Sequence, residues 1–459
     1  MLNYKELIKK YNIPVPRYTS YPPANHFKEG ISQEEIYEKL RHSNEMEPHN
    51  IAYYVHIPFC TKICFYCGCN ACATRNEQEI EDYINALKKE IDITTSLIDK
   101  DRKISQIHFG GGTPNAIDVK YLKEIVNALK RKHKFTKNPE IAIECNPAWL
   151  DYQYIDELLE IGFNRISFGI QDFDAEILKN VNRDPSKIPI SELMAYIRKK
   201  SPETSINLDF IYGLPGQTKQ SFAQNMEKAL LLKPDRLVTF SYAHVPWLKK
   251  HQQILEKKGL PSPDDKMDMF LTSRELLLEN DYNPIGLDHY VLEQDELNLA
   301  LKSNKLHRNF QGYCTRETTG QVYAFGTSAI SQLKHSYLQN EKDVKRYIEL
   351  INKNRLPVQM GYFLSDKEQI INETITEIMC NGKLDIKDFS DNHHISVSAF
   401  LEISQFQEHQ LKDFIDDALI EYDHLLLKAT KKGELFIRNI ASLFDPAYSP
   451  ENNKYSKSV

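Results

Sequence analysis

Three thiols dominate the chemistry open to this sequence. Cys60, Cys64 and Cys67 follow the run Tyr53-Tyr54-Val55-His56-Ile57-Pro58-Phe59 in a Cys-x3-Cys-x2-Cys spacing, with Cys69 and Cys72 just beyond. Thiolates this close on one loop can hold three corners of a four-iron cluster and leave the fourth iron open to another ligand. The same residues admit two other readings. A structural zinc site would normally draw on a second Cys/His pair after a longer spacer, and no such pair is visible. A closed electron-transfer cluster with Cys69 as fourth thiolate would leave most of a 459-residue chain without a task. Two further features bear polar chemistry. Gly110-Gly111-Gly112-Thr113-Pro114 offers backbone without side chains, which a bound molecule can approach closely, although a plain tight turn would look the same. Glu144 is a carboxylate able to accept hydrogen bonds from hydroxyls or an ammonium group; alone, it reads as an ordinary structural glutamate.

These residues need a scaffold, and the surrounding pattern supplies one. From about Ile51 to His244, short β-rich runs alternate with longer amphipathic segments. The expected strands are 52–58, 104–110, 140–145, 165–171, 205–213 and 236–244; helical stretches at 81–98, 118–133 and 221–232 have apolar residues at three- and four-residue steps. Repeated βα units of this kind build a parallel sheet, and six of them make an incomplete barrel, an α/β fold. In such barrels chemistry sits at the C-terminal ends of the strands. That is where Gly110 to Gly112, Glu144, Gln171, Asp209, Ala243 and His244 fall.

The flanks read differently. Residues 1–45 form an N-terminal arm whose Pro16-Arg17-Tyr18-Thr19-Ser20-Tyr21-Pro22-Pro23 is too proline-rich for a helix. Residues 46–360 hold the partial barrel and its extension, and 361–459 a small, mostly helical C-terminal domain with a winged-helix-like pattern. The tail NNKYSKSV is expected to be mobile unless it docks. A net charge of -6 and short basic clusters such as Arg198-Lys199-Lys200 argue against nucleic acid as a partner. No apolar run approaches the ~20 residues a bilayer span needs, and the N-terminus lacks a secretory signal pattern, so a cytoplasmic location is expected. Five of the eight cysteines lie between Cys60 and Cys72, which favours a metal site over disulfides; Cys145, Cys314 and Cys380 stand alone as ordinary thiols.

The cysteine spacing after a first barrel strand resembles the radical S-adenosylmethionine (SAM) superfamily. Within it, Tyr54-x-His56-Ile57-Pro58-Phe59-Cys60 through Cys67-Gly68-Cys69 resembles the oxygen-independent coproporphyrinogen III dehydrogenases, whereas the related haem chaperones typically lack a cysteine at the position of Cys69. The similarity takes in the arm (Pro16 to Pro22), the barrel, Leu306-His307-Arg308-Asn309-Phe310-Gln311-Gly312-Tyr313 and Gly326-x-Ser328-Ala329-Ile330, which is nearly the whole chain. It departs at Cys145, where an apolar residue is expected beside Glu144, and at Tyr66, a place often held by Phe.

The resemblance implies a radical SAM barrel with a [4Fe-4S] cluster on Cys60, Cys64 and Cys67 and two molecules of SAM. Tyr54, Gly111, Glu144, Ala243 and Ile330 match residues that bind the first, and Tyr66, Gly112, Thr113, Gln171, Arg183 and Asp209 match those that bind the second. Arg183 suits a charge-assisted pair with a methionyl carboxylate. The implied reaction uses an external electron and a 5′-deoxyadenosyl radical to remove a propionate β-hydrogen. Loss of carbon dioxide and one electron then leaves a vinyl group, and two rounds convert coproporphyrinogen III to protoporphyrinogen IX. Implied partners are coproporphyrinogen III and a one-electron donor protein such as flavodoxin or ferredoxin, with the chain acting as a monomer. A substrate with four carboxylates needs cationic anchors, and His307 and Arg308 are candidates. Two related readings stay open: a haem chaperone that keeps the cluster, and an anaerobic haem-degrading methyltransferase, against which the arm and Cys69 argue. Anaerobic purification should give a brown protein containing iron and sulfide but no zinc; zinc in their place would identify a zinc-structured scaffold.

Overall fold

The computed structural model describes residues 2–315, 320–449 and 455–458. Its centre is a run of six parallel strands, β1 (Ile51–Ile57), β2 (Ile104–Gly111), β3 (Phe135–Cys145), β4 (Arg165–Gln171), β5 (Ser205–Tyr212) and β6 (Arg236–Ser241), each paired with the next in chain order. β1 is buried along nearly all its length, as a central strand covered on both faces must be, while β4 alternates buried and half-buried residues. Helices α1 (Glu77–Thr95), α2 (Val119–Lys130), α3 (Tyr152–Ile161), α4 (Ile190–Lys200) and α5 (Lys219–Leu232) return the chain between strands. Side chains of Asn76, Asp118, Asp151 and Thr218 cap four of them by accepting from first-turn amides. The incomplete (β/α)6 barrel read from the sequence is therefore present, with β3 starting earlier and β6 ending earlier than expected.

The sheet continues past both edges. Val322–Phe325 joins β1 as a seventh parallel strand, and Ile330–Leu333, Ser336–Asn340, Val358–Phe363 and the arm's Lys28–Glu29 follow in antiparallel order. On the other side β6 pairs with His289–Val291, and that strand with Asn283–Ile285. Among the described residues the two edges do not meet, so the barrel stays open. Beyond it, helices Asp366–Asn381, Ile386–Asn392, Val397–Ser404 and Lys412–Asp416 pack with a three-stranded antiparallel sheet of Lys383–Asp385, Leu426–Ala429 and Ile420–Asp423, in the winged-helix-like order expected.

The arm is ordered. Val15, Tyr18 and Tyr21 are buried, and the Tyr18 hydroxyl donates to Asp445 at 2.9 Å. The tail docks as well: Ser458 N–H donates to Ile13 O and Val15 N–H to Ser456 O, so residues 455–458 are fixed rather than mobile, while residues 452–454 and 459 of that tail lie outside the described residues. Arg438, 6% exposed, ties arm to tail by donating to Pro16 O, Lys457 O and Val15 O.

At the lower rim, where β4 and β6 begin, Arg165 donates to Glu140 at 2.5 Å and to Glu296 at 2.9 Å, and Arg236 to Asp295 at 2.7 Å and to Glu296 at 2.9 Å. Burial works against the charge on Glu140, but Arg165 and Arg236 overcome it and hold the carboxyl down to about 2. A depressed carboxyl stabilises the fold above its ordinary value of 4.5, and that contribution is lost as pH falls towards 2. Arg165→Met should therefore cost about 3–5 kcal/mol at neutral pH by leaving a buried carboxylate unpaired. Chemical unfolding of the variant and parent checks this, and the difference should shrink as the solution is acidified.

Candidate active site

The cysteine loop leaves the upper end of β1 and is pinned on three sides. A two-residue strand, Phe59–Cys60, pairs in parallel with Cys72–Ala73, so the loop closes where it opened. The end of β2 lies against it: Gly112 N–H donates to Ile57 O at 2.8 Å and Thr113 N–H to Phe59 O at 3.0 Å. On the far side Phe65 N–H donates to Val181 O at 2.9 Å and Asn182 Nδ2 to Ile63 O at 2.8 Å. From the segment after β6, Gln252 Nε2 donates to Tyr66 O at 3.0 Å, His251 Nε2 to Cys67 O at 2.8 Å and Lys249 Nζ to Cys69 O at 2.7 Å.

Whether these thiols suit an iron–sulfur cluster can be judged from the space around them. Gly111 has φ +122°, and a Cβ there would lie 2.7 Å from Ile57 O; on Gly112 it would lie 2.6 Å from Pro58 O and 3.0 Å from Cys60 Sγ. Only glycine lets β2 come this close to the loop. Cys60 Sγ sits 3.3 Å from Thr113 Oγ1, and Arg183 Nη1 3.8 Å from Cys64 Sγ. None of the eight cysteines forms a disulfide. Burial pushes Cys60 up to about 11, whereas the hydrogen bond with Cys69 draws Cys67 down to about 6 and drives Cys69 upward. Three free thiols on a pinned loop, with glycine backbone and cationic side chains beside them, fit a sulfur-ligated cluster.

Two groups of polar residues flank the loop. The first gathers at the ends of β1, β2 and β3. His108 Nε2 lies 3.0 Å from Glu144 Oε1, the Tyr54 ring stacks on His108 with centroids 5.9 Å apart, and a Cβ on Gly110 would fall 2.8 Å from Glu144 Oε1 and 3.0 Å from the Tyr54 hydroxyl. His56 is buried, and burial lowers its basicity, so its ring is neutral at pH 7. Its Nε2–H donates to Asn70 O at 2.9 Å, which leaves Nδ1 to accept from the Tyr54 hydroxyl at 3.2 Å. Tyr54 and Glu144 are thus brought together around Gly110, with Gly111 against the His56 ring. His56, part of the motif that carries the family resemblance, belongs with them, and so does His108, whose signal in the sequence is a polar residue in the otherwise apolar strand run IHFG.

The second group lies over β4 and β5. Arg183 donates to the Tyr66 hydroxyl at 3.2 Å and closely to Gly169 O, and a Cβ on Gly169 would meet Gln171 Nε2 at 2.8 Å and Arg183 Nη2 at 3.0 Å. Gln171 itself takes a left-handed φ of +67°, turning the strand end. Asp209 pairs across the sheet with Gly169, and burial pushes its carboxyl up to about 8, with Glu144 adding to the shift and Arg183 opposing it. Tyr66, Gln171, Arg183 and Asp209 therefore share one corner, with Gly112 and Thr113 on the other side of the loop. Ala243 connects to them through Gln252, whose Nε2 lies 3.3 Å from Ala243 O and 3.0 Å from Tyr66 O. Ile330 stands apart, packed with Phe27 and Tyr337 at the start of its strand.

The hairpin carrying Ile330 is nevertheless tied to β1 by buried polar groups. Glu90 on α1 accepts from Gly326 N–H at 2.8 Å, the Tyr347 hydroxyl at 2.5 Å and Asn340 Nδ2 at 2.6 Å; burial still pushes it up to about 7. The Tyr83 hydroxyl donates to His56 O at 2.7 Å and accepts from Thr327 N–H at 3.0 Å.

The profile of the Radical SAM superfamily matches residues 54–229. An oxygen-independent coproporphyrinogen III oxidase from Synechocystis is 35% identical over 446 residues, covering 96% of this chain and 94% of its own, and the protein of that name from Helicobacter pylori strain J99 is 35% identical over 99% of both chains. A solved structure of coproporphyrinogen III oxidase from Escherichia coli, described as a radical SAM enzyme, superimposes with a TM-score of 0.88 at 33% identity, covering 97% of this chain and 99% of that one.

Asp209 gives this site a pH signature. Because its carboxyl is raised from 3.8 to about 8, the folded protein holds a proton that the unfolded chain has released, and the unliganded fold loses stability from this group as pH rises through that interval. Asp209→Asn removes the effect. Between about pH 6 and about pH 8.5 the unfolding midpoint should shift in the variant's favour relative to the parent, by ~3 °C or more. A difference that does not change with pH would make Asp209 an ordinary solvated acid.

Proposed function

This chain belongs to the oxygen-independent coproporphyrinogen III oxidases of the radical SAM superfamily, and on that premise we propose how its barrel mouth carries out their reaction. The activity is the oxygen-independent oxidative decarboxylation of two propionates of coproporphyrinogen III to vinyl groups, giving protoporphyrinogen IX in haem biosynthesis. The cofactors are a [4Fe-4S] cluster and SAM. When bound, they supply the one-electron chemistry that takes a hydrogen atom from the propionate β-carbon; carbon dioxide and one electron leave the substrate in turn.

The protein's share is to hold, orient and exclude water. We assign Cys60, Cys64 and Cys67 to the cluster, because they lie on one loop whose carbonyls are occupied by Lys249, His251 and Gln252 and which is therefore held in one shape. Tyr54, Gly111 and Glu144 take one SAM, with Ala243 and Ile330 assigned to it on the family resemblance alone. The grouping of Tyr54 and Glu144 with His56 and His108 supports that reading, since a carboxylate beside side-chain-free backbone suits an ammonium and ribose hydroxyls. Tyr66, Gly112, Thr113, Gln171, Arg183 and Asp209 take a second. Arg183 would face the methionyl carboxylate, and Asp209 would surrender its proton to gain a positively charged partner.

We further assign the electron to a small donor protein such as flavodoxin or ferredoxin and the setting to the cytoplasm, where cysteines outside any disulfide stay reduced, with the chain acting as a monomer. No helix among the described residues is long and apolar enough to cross a membrane. The observation that carries the mechanistic reading is the pinned three-thiol loop lying between the Glu144 and Arg183 groups. Anaerobic turnover of coproporphyrinogen III by reconstituted protein with dithionite and SAM should yield protoporphyrin, after oxidation, together with 5′-deoxyadenosine, and Cys64→Ala should abolish both. Formation of 5′-deoxyadenosine without any vinyl product would keep the cofactor assignment and discard the substrate.

A further inference from the structure

Outside the groups just described, three guanidinium groups gather without carboxylate partners. Arg17 lies on the arm, Arg308 on the strand Leu306–Asn309, and Arg438 on the helix Ile437–Ser442. Arg308 Nη1 donates to Arg17 O at 3.1 Å, its guanidinium lies 5.1 Å from the centre of the Tyr313 ring, and its Nε is buried with no hydrogen-bond partner. Arg438 sits behind them, spending its donors on backbone carbonyls and the Ser456 hydroxyl. Burial, with Arg17 and Arg308 nearby, pulls Arg438 down to about 9, a sign of how poorly this positive charge is neutralised. Among the described residues none of the three forms an ion pair with a carboxylate. The acid whose charge responds to Arg308 and Arg17 is Asp288, already bonded to His289 Nδ1 at 2.7 Å. Three positive charges against one negative, partly enclosed, are costly unless an anion completes them.

The cluster borders the mouth of the barrel. Asp288 O accepts from Thr239 N–H of β6 at 2.8 Å, and His289 pairs with Val238 on that strand. From β6 an aromatic row leads to the arginines: Phe240, 40% exposed, stands edge-on to His289 at 6.3 Å, and His289 edge-on to Tyr313 at 5.5 Å. Gly286 has φ +63°, and a Cβ there would fall 2.1 Å from the Tyr313 hydroxyl, so the tyrosine is held in place by the absence of a side chain. An apolar edge ending in unpaired guanidinium groups is complementary to a flat organic acid with carboxylates on its rim.

We propose that Arg17 and Arg308, with Arg438 supporting them from behind, bind carboxylates of coproporphyrinogen III that are not reacting and so anchor the macrocycle along Phe240, His289 and Tyr313. This rests on the reading of the chain as a coproporphyrinogen III oxidase and adds to it the groups that select a polycarboxylate. The Arg308 guanidinium has a buried Nε–H without a partner, whereas Arg17 meets its carboxylate from the exposed arm.

The test uses the full-length, cluster-loaded enzyme with Arg17→Gln, Arg308→Gln and Arg308→Lys. Binding of coproporphyrin III and of its tetramethyl ester is followed by fluorescence under anaerobic conditions, alongside KM and kcat for coproporphyrinogen III, SAM affinity and the cluster absorbance. Each glutamine variant should weaken tetracarboxylate binding and raise KM by about tenfold, with Arg308→Lys intermediate, because each loses a charge-assisted hydrogen bond. Ester binding, SAM affinity and cluster absorbance should stay unchanged. Glutamine variants that bind the acid as tightly as the parent overturn the anchor, as do variants that lose acid and ester binding equally, which would mark a structural role. Arg17→Gln guards against misfolding, since that side chain is exposed. A parent enzyme that does not convert coproporphyrinogen III overturns the family reading instead, whatever the variants do.

Discussion

Peptide groups drawn out of water must find hydrogen-bond partners, and the half-buried cysteine loop supplies little of its own beyond Cys67 N–H to Cys64 O at 3.1 Å. Residues 61–71 cross the top of a parallel sheet where no neighbouring strand is available, so their carbonyls and amides are met from elsewhere. Val181 and Asn182 come from the connection after β4, and Lys249, His251 and Gln252 from the segment after β6. The rest of the site follows from this demand. The same connection that satisfies Ile63 and Phe65 delivers Arg183 to Cys64 and Tyr66, and the same segment that satisfies Tyr66 and Cys67 fixes Ala243 through Gln252. Satisfying the loop's backbone and gathering the site's side chains are one piece of construction.

The strands divide their labour along their length. β4 begins at Arg165, inside an ion network with Glu140 and Glu296, and ends at Gln171 in a left-handed conformation. β3 runs from Glu140, a carboxylate held ionised by two arginines, to Glu144, a carboxylate with one histidine and open space. Stability is invested at the lower rim, where every buried charge has a partner. Strain and incompletely paired charge are kept at the upper rim, where a ligand can complete them. Glu90 extends this upper construction backward: a fully buried acid with three donors locks the hairpin before Ile330 to the helix behind β1, at a cost in desolvation visible in its raised proton affinity.

Much of this was legible from residue order because the barrel repeats one rule. Alternating β-rich and amphipathic segments fixed the six parallel strands, and polar residues at strand tails named Glu144, Gln171 and Asp209 before any coordinates. The cysteine spacing is local, so it survived without tertiary knowledge. What resisted was non-local. Val322–Phe325 is too short and too generic to announce itself as a seventh parallel strand, and its place beside β1 depends on a partner some 270 residues away, Ala52 against Val322. His108 reads as an isolated strand residue, and His56 only as a motif letter, until the fold sets Tyr54 between them. The docking of residues 455–458 draws on backbone pairing with the arm and on one buried arginine, Arg438, whose six carbonyl and hydroxyl acceptors come from the two ends of the chain.

Charge sorts the mouth of the barrel into two halves. Beside the cysteine loop, burial first and the Glu144 carboxylate second push Asp209 towards its neutral form, an arrangement relieved by a ligand that brings positive charge. At the far side of β6, Arg17, Arg308 and Arg438 outnumber Asp288, an arrangement relieved by negative charge. SAM is a net cation, its sulfonium and ammonium outweighing the one carboxylate assigned to Arg183, whereas the ionised groups of the tetrapyrrole are all carboxylates. Each ligand therefore gains where the other would lose, because exchanging them would set like charges against each other in partly desolvated surroundings. On the proposed assignments, one barrel mouth binds a cation and a polyanion side by side, each against the half whose charge it relieves.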